Sequence, residues 1–143
     1  TTTPYSLSAT AINGPLGVYG AYEKNAIQTK IWSLGAFFKP TPELKLMGSY
    51  QSQDQTENVT INPKTKAWLI GANYTVGAGL VRAGYGQKTP DNVLNSAAIA
   101  KTKQVSIGYD YNLSPRTYLY VDASNKKAVT TANFYSLGIH HNF

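Results

Sequence analysis

The sequence has no cysteine and few charged residues, and both shortages narrow the range of protein classes. Without cysteine there is no disulfide scaffold and no thiol chemistry. Charged residues make up 14% of the chain, whereas about 25% is usual for a soluble domain. Gly, with 12 residues, and Tyr, with 11, fill part of the difference, together with Ser, Thr and Asn. This composition favours a sheet with one apolar face and one polar face that carries little charge.

Long hydrophobic runs are also absent. No stretch of 18 or more apolar residues occurs, which excludes a transmembrane helix but not a transmembrane barrel, whose strands alternate between apolar and polar residues. The net charge of +6 comes from basic residues that are spread singly, apart from the adjacent Lys126 and Lys127. Because no basic stripe could follow a phosphate backbone, nucleic-acid binding is not favoured. On the wall of a water-filled channel, dispersed positive charge would instead favour the passage of anions.

Alternation of apolar and polar residues runs through most of the chain and predicts nine strands. In the seventh, for example, Val105, Ile107 and Tyr109 alternate with Ser106 and Gly108. The nine predicted strands cover residues 5–12, 16–24, 29–38, 44–53, 66–76, 80–88, 103–113, 116–125 and 133–143. Residues 1–143 are therefore predicted to belong to a single all-β domain, of which, on the strand count considered below, they would form the C-terminal part.

The connections between these strands alternate between short and longer. The short turns, rich in Gly and Pro, are at residues 13–15, 39–43, 77–79 and 114–115, and the longer connections are 25–28, 54–65, 89–102 and 126–132. A soluble sandwich has no reason to alternate in this way, whereas an outer-membrane barrel has short periplasmic turns and longer extracellular loops. The alternation therefore predicts an antiparallel transmembrane β-barrel.

Aromatic residues fall near both ends of the apolar face of several strands. Those predicted to lie at the two membrane interfaces are Trp32, Phe38, Trp68, Tyr74, Tyr135 and Phe143. Their separations within a strand of six to eight residues correspond to about 20–26 Å, close to the roughly 25 Å height of an apolar band. Tyr and Trp suit such positions because the ring sits in lipid while the OH or NH reaches water.

The opposite face of the strands is polar and is predicted to line a channel. The candidate pore-lining residues are Lys45, Arg82, Arg116, Glu23, Asp110 and Asp122. Many Gly and Ser positions on this face favour a wide, water-filled interior. Two hypotheses remain open for the basic residues. They attract anions, or they bind the carboxylates of the wall and contribute little selectivity.

No catalytic residue, metal site or cofactor is predicted. The carboxylates are interpreted as pore-lining charges rather than as the pair of a hydrolase. His140 and His141 are adjacent in a strand and therefore point to opposite faces, so they cannot chelate a metal together without other ligands.

Two segments resemble a known family. The ending from Tyr135 to Phe143 resembles the last strand of Gram-negative general porins of the β-proteobacterial type, and the stretch from Ile107 to Thr117 is similar to their penultimate periplasmic turn. The resemblance implies a homotrimer of 16-stranded barrels in the bacterial outer membrane, each a water-filled diffusion channel. It also implies that the assembly machinery of that membrane recognises Tyr135, Leu137, Ile139 and Phe143. At His141 relatives commonly have a more hydrophobic residue, and at Asn142 they often have Lys or Arg.

Nine is an odd number of strands, whereas bacterial single-chain barrels have even numbers. Counted back from Phe143, the strands would be the last nine of sixteen, and an open sheet would leave two unpaired edges in lipid. We therefore expect the N-terminal half of the barrel as a partner. The other expected partners are further copies in a homotrimer, outer-membrane lipid and lipopolysaccharide, and small ions and solutes.

These inferences predict passive diffusion of small hydrophilic solutes and ions across the outer membrane, with a mild preference for anions and no enzymatic activity. Two alternatives remain open. A small, eight-stranded outer-membrane barrel with a structural or adhesive role would require residues 133–143 to pair with residues 5–24. In a soluble all-β binding module, the face with Trp32, Trp68 and Tyr135 would be a protein core.

Overall fold

The computed structural model describes residues 3–26, 29–55, 63–92 and 101–143. These residues form nine strands. The strands are β1 (Tyr5–Asn13), β2 (Leu16–Lys24), β3 (Lys30–Phe38), β4 (Leu44–Asp54), β5 (Pro63–Val76), β6 (Gly79–Asn92), β7 (Thr102–Ser114), β8 (Thr117–Lys127) and β9 (Thr131–His141). Within this part of the chain, no helix is long and apolar enough to cross a membrane.

All nine strands belong to one antiparallel sheet in which each strand pairs with its neighbours in the chain, from β1 to β9. Within the described ranges β9 pairs with β8 alone, so the sheet is open and its two outer strands do not meet. The hypothesis of a closed eight-stranded barrel required pairing between residues 133–143 and 5–24, and it is therefore wrong. The predicted all-β antiparallel architecture is confirmed.

The sheet has no protein core of its own. Among the described residues no hydrophobic side chain is buried, and large apolar side chains on one face remain exposed, for example 56% of Leu34 and 82% of Leu137. A soluble sandwich would bury such a face against a second sheet about 10 Å away. The structure therefore contradicts the hypothesis of a soluble binding module. The apolar face must instead be covered by an apolar environment outside the described residues.

Tight turns close one end of the sheet. Three of them leave only two residues between strands, at 14–15, 77–78 and 115–116, and a fourth spans 39–43. Gly14 and Gly77 have φ angles of 55° and 56°, a left-handed conformation that glycine adopts without a steric penalty. In the five-residue turn, the Leu44 N–H donates to Thr41 Oγ1 at 3.2 Å. We call this end of the sheet the turn end and the opposite end the loop end.

At the loop end the strands run further than the sequence predicts. β5 begins at Pro63 instead of residue 66, β6 ends at Asn92 instead of 88, and β8 ends at Lys127 instead of 125. The two long connections shrink to 55–62 and 93–101, most of which lies outside the described residues.

The alternation of short and longer connections is only partly confirmed. The last connection at the loop end, 128–130, has three residues, fewer than the five of turn 39–43. The predicted longer loop at 126–132 is wrong because Lys126 and Lys127 continue the ladder opposite Ala132 and Thr131. Around Lys126 and Lys127 the residues on both faces are mostly polar. The alternation of apolar and polar residues therefore ends in the sequence before the backbone pairing ends in the structure.

Candidate functional site

Register and alternation assign every strand residue to one of two faces. Residues paired across neighbouring strands share a face, and successive residues of a strand alternate. The apolar face includes Leu7, Val18, Leu34, Leu46, Ile70, Val105, Ile107, Val121 and Leu137, and the polar face includes Glu23, Lys45, Gln51, Asn73, Arg82, Asp110, Asp122 and Ser136. The division into faces that the alternation predicts is therefore present along the whole sheet.

The aromatic residues that the sequence predicts at the interfaces lie on the apolar face. In strands these are Trp32, Phe38, Trp68, Tyr74 and Tyr135. At the loop end they have aromatic neighbours, because the rings of Trp32 and Tyr50 are 5.2 Å apart and those of Trp68 and Tyr85 are 5.3 Å apart. Phe38 and Tyr74 lie at the turn end. Phe143 follows the end of β9 and is fully exposed, with its ring 5.0 Å from that of His141.

Five of the six candidate pore-lining residues lie on the polar face of strands. Glu23 is on β2, Lys45 on β4, Arg82 on β6, Asp110 on β7 and Asp122 on β8. The sixth, Arg116, lies in the turn between β7 and β8, where its carbonyl oxygen accepts a hydrogen bond from the Asn142 N–H at 2.9 Å. The structure brings Arg82, Asp110 and Asp122 into contact and leaves Glu23 four strands away.

Arg82 of β6 binds two carboxylates, one on the adjacent strand β7 and one on β8, the strand beyond it. Its Nη2 donates to Asp110 Oδ1 at 2.8 Å and to Asp122 Oδ1 at 3.0 Å. The Ser136 hydroxyl lies 3.4 Å from the other oxygen of Asp122 and donates to it. Of the two hypotheses for the basic residues, binding to carboxylates of the wall is therefore the one that applies to Arg82. Its positive charge is offset by two negative charges.

Gly108 makes the contact between Arg82 and Asp122 possible. The register places Gly108 directly between them, as the partner of Arg82 on one side and of Asp122 on the other. Because neighbouring strands are about 4.8 Å apart, the arginine side chain must cross the full width of β7. A Cβ atom on Gly108 would overlap the Asp122 carboxylate and crowd Arg82 Nη2. Sequence reasoning missed this residue because its role depends on a register that the alternation does not reveal.

Lys45 has a different environment from Arg82. Its Nζ lies 4.7 Å from the centre of the Phe37 ring, a favourable cation–π distance. Within the described part of the chain no carboxylate lies within ion-pair distance of Lys45. Its charge therefore remains available on the polar face.

Two further lysines on the polar face were missed from the sequence. Lys88 pairs with Thr102, and Lys126 pairs with Gln104. Both line an open cavity of about 420 Å³ whose wall includes Gly86. For Lys126 the missing signal was strand length, since Lys126 has the same parity as Asp122 but lies beyond the predicted end of the eighth strand. Lys88 lies within the predicted sixth strand with the same parity as Arg82, so the alternation already indicates its face.

The two histidines lie on opposite faces, as predicted. His140 is on the polar face, where its ring stacks on Tyr118 at a centroid distance of 5.0 Å. His141 is on the apolar face, and its Nδ1 is 2.7 Å from Thr117 Oγ1.

Several solved structures have the same fold as this chain. The anion-selective porin from Comamonas acidovorans has a TM-score of 0.82 at 23% identity, with 95% of this chain and 48% of that one covered. OmpT of Vibrio cholerae has a TM-score of 0.83 at 14% identity, with coverages of 96% and 55%. The outer-membrane channel DcaP of Acinetobacter baumannii has a TM-score of 0.68 at 14% identity, with coverages of 94% and 49%. The chain thus spans about half the length of each of these proteins.

Comparison at the level of sequence gives the family. No significant match was found among curated proteins. A family model described as Gram-negative porin matches residues 1–131, which is most of the chain, and it confirms the resemblance. The chain therefore belongs to the Gram-negative porin family and lies in the bacterial outer membrane, which its strands cross one after another.

Proposed function

We propose that the protein to which this chain belongs forms a water-filled channel for passive diffusion of small hydrophilic solutes and ions, with a mild preference for anions. The main support is the division of the sheet, with the polar face toward the channel and the apolar face toward lipid. Porins with this fold are about twice as long as the chain, so other strands would complete the barrel. One similar structure is described as a trimer form, which supports the proposal of a homotrimer.

The anion preference would rest on three lysines. Four cationic and three acidic strand side chains lie on the polar face among the described residues. Because Arg82 is bound to both Asp110 and Asp122, the cations that remain are Lys45, Lys88 and Lys126. Of the three acids, Glu23 is the one that does not contact Arg82. The excess of positive charge is small, so selectivity would come from the summed field of the wall rather than from a binding site.

The last strand supports the proposed assembly signal. Tyr135, Leu137 and Ile139 share the apolar face of β9, with exposures of 79%, 82% and 64%. Together with the exposed Phe143 they form an apolar row, interrupted by His141, that a folding factor could contact before the strand is covered. The interface role of Trp32, Phe38, Trp68, Tyr74 and Tyr135 is proposed on the same grounds, because these residues lie at the two ends of the apolar face.

We propose no enzymatic role for this part of the porin. Asp110 and Asp122 are both bound to Arg82, so neither is placed as a free acid or base. Glu23, on β2, is too far away to form a carboxylate pair with either of them. Membership in a porin family supports the same view.

Reversal potentials in planar bilayers test the function with the full-length porin. The wild type is expected to show a potential of the sign that anions give. K88E/K126E is expected to lower the anion-to-cation permeability ratio severalfold, because it changes the sign of the field at the pore wall.

The matched control is K103E/K127E, which changes the same charge on the apolar face and is expected to leave the ratio nearly unchanged. A cation-selective wild type, or equal effects of the two double variants, would contradict the proposal.

A further inference from the structure

Apolar side chains also occur on the polar face, and three of them lie together near the turn end. We call Tyr19, Phe37 and Met47 the apolar patch. Phe37 and Met47 are direct partners across β3 and β4, and Tyr19 lies on β2, diagonally across from Phe37, since its own partner on β3 is Gly35. Tyr19 is 41% exposed, and the other two side chains are half-buried. The polar face thus includes an apolar surface that a solute in the channel can reach.

The two rings of the patch lie across the backbone of the neighbouring strand because glycines stand opposite them. A Cβ atom on Gly17 would overlap the Phe37 ring, and a Cβ atom on Gly35 would overlap the Tyr19 ring. Each ring therefore covers a glycine with one side and turns its other side toward the channel. A ring face in this position can stack against a further aromatic ring.

Two lysines flank the Phe37 ring. The Nζ of Lys45 lies 4.7 Å and the Nζ of Lys39 lies 5.9 Å from the centre of the ring. Within the described ranges no carboxylate is in ion-pair distance of either lysine. Two of the three acidic strand side chains described on the polar face are bound to Arg82, so they do not compete for these lysines. Positive charge beside an aromatic surface is complementary to an anion that carries a ring.

We propose that the apolar patch and its two lysines form a binding site for small aromatic carboxylates on their way through the channel. The proposal rests on the proposed function, because such a solute reaches the patch only if the polar face lines a water-filled channel. The ring of the solute stacks on Tyr19 or Phe37 while its carboxylate pairs with Lys45 or Lys39. Anions without a ring meet only the lysines. The site therefore distinguishes among anions, which the summed field of the wall does not do.

A second phenylalanine of the polar face provides a matched control. Phe134, on β9, and Phe37 belong to one row of register partners that crosses the sheet. Phe134 is 53% exposed, and in the described part of the chain no lysine ammonium lies over its ring. Phe37→Leu and Phe134→Leu therefore remove the same ring from the same face, one with and one without neighbouring cations. Leucine keeps an apolar side chain over Gly17, so a role of Phe37 in covering that glycine is largely retained.

Titration of the full-length porin in planar bilayers with sodium benzoate tests the proposal, with chloride conductance as the readout and sodium acetate as the comparison without a ring. Benzoate is expected to lower the conductance of the wild type in a saturable way, whereas acetate at equal concentration should not. We expect Phe37→Leu to raise the half-saturating benzoate concentration about fivefold, as the loss of one contact between rings implies. Phe134→Leu should leave it unchanged. Lys45→Gln should raise it about threefold, because a partly exposed ion pair contributes little.

Equal effects of benzoate and acetate on the wild type would overturn the proposal, since another part of the porin would then cover the patch. Equal half-saturating concentrations for the two leucine variants would overturn it as well. If Phe37→Leu does not fold, Lys45→Gln tests the same site through its charge, and an unchanged half-saturating concentration would refute the site. Chloride conductance separates the two proposals. A porin that conducts chloride but responds equally to both anions refutes the site alone, whereas a porin that does not conduct refutes both.

Discussion

The two faces of the sheet are built from alternate residues of the same strands, yet they distribute charge in different ways. On the polar face, charges occur both at the loop end, as at Lys88 and Lys126, and farther along the strands, where Arg82 contacts Asp110 and Asp122. On the apolar face, charged strand side chains are confined to the loop end. Exposure does not distinguish the faces, since Ile70 is 55% exposed and its neighbour Leu69 is 50% exposed. The different placement of charge therefore reflects the environment of each face rather than its exposure.

The largest effect should come from placing the same charge on each face. Ile70→Arg puts a cation on the apolar face between the aromatic residues Trp68 and Tyr74, whereas Leu69→Arg puts it on the polar face. Arginine on the lipid face near the bilayer midplane costs about 2–4 kcal/mol. We expect Ile70→Arg to lower the free energy of unfolding of the full-length porin in lipid vesicles by about 2 kcal/mol, measured by denaturant titration. Leu69→Arg should lower it much less, and equal losses would mean that the faces are assigned wrongly.

A smaller loss of stability should follow from filling the space over Gly108. Gly108→Val forces Arg82 and Asp122 apart, and overpacking of this kind typically costs about 1–3 kcal/mol. Gly84→Ala is the control, because its Cβ would meet Ser106 Oγ at an ordinary contact distance of 3.5 Å. Denaturant titration of both variants gives the comparison. Equal stability of the two variants would show that Gly108 is not needed for the contact.

The smallest effects concern the charge balance within the polar face. Arg82→Gln leaves Asp110 and Asp122 uncompensated and is expected to shift the reversal potential toward cations. Asp122→Asn releases part of the charge of Arg82 and is expected to shift it toward anions. Measurements at low salt are needed because screening weakens these fields. Shifts of the same sign would contradict the arrangement, and Arg116→Gln, in the turn, should shift the potential least.

Strand order, strand number and the division into faces could be predicted from the sequence because each strand has one apolar side. The period of two then fixes the face of every residue once one residue is placed. Trp32, Trp68 and Asp122 were assigned in this way. The same signal fails where both sides are polar, which is why the sequence predicts that the eighth strand ends before Lys126 and that the connection after it is longer than the structure shows.

The contact of Arg82 with Asp110 and Asp122 could not be predicted in the same way. It depends on the alignment of three strands, and alternation within each strand says nothing of how far one is shifted along the next. Gly108 illustrates the limit most clearly. In the sequence it is one of several glycines on the polar face, and only the register shows that it lies between two charged side chains.

Because Lys126 and Lys127 are adjacent and lie on opposite faces, the hairpin of β8 and β9 can change in length only in ways that keep each lysine on its face. Removing one residue from β8 on the N-terminal side of Lys126 would exchange the faces of both lysines, so that Lys126 would lie on the apolar face and Lys127 on the polar face. Removing two residues would move both lysines toward the turn end but keep each on its own side. Changes in length by even numbers should therefore be tolerated within the strand, whereas changes by odd numbers should be confined to the connection at 128–130.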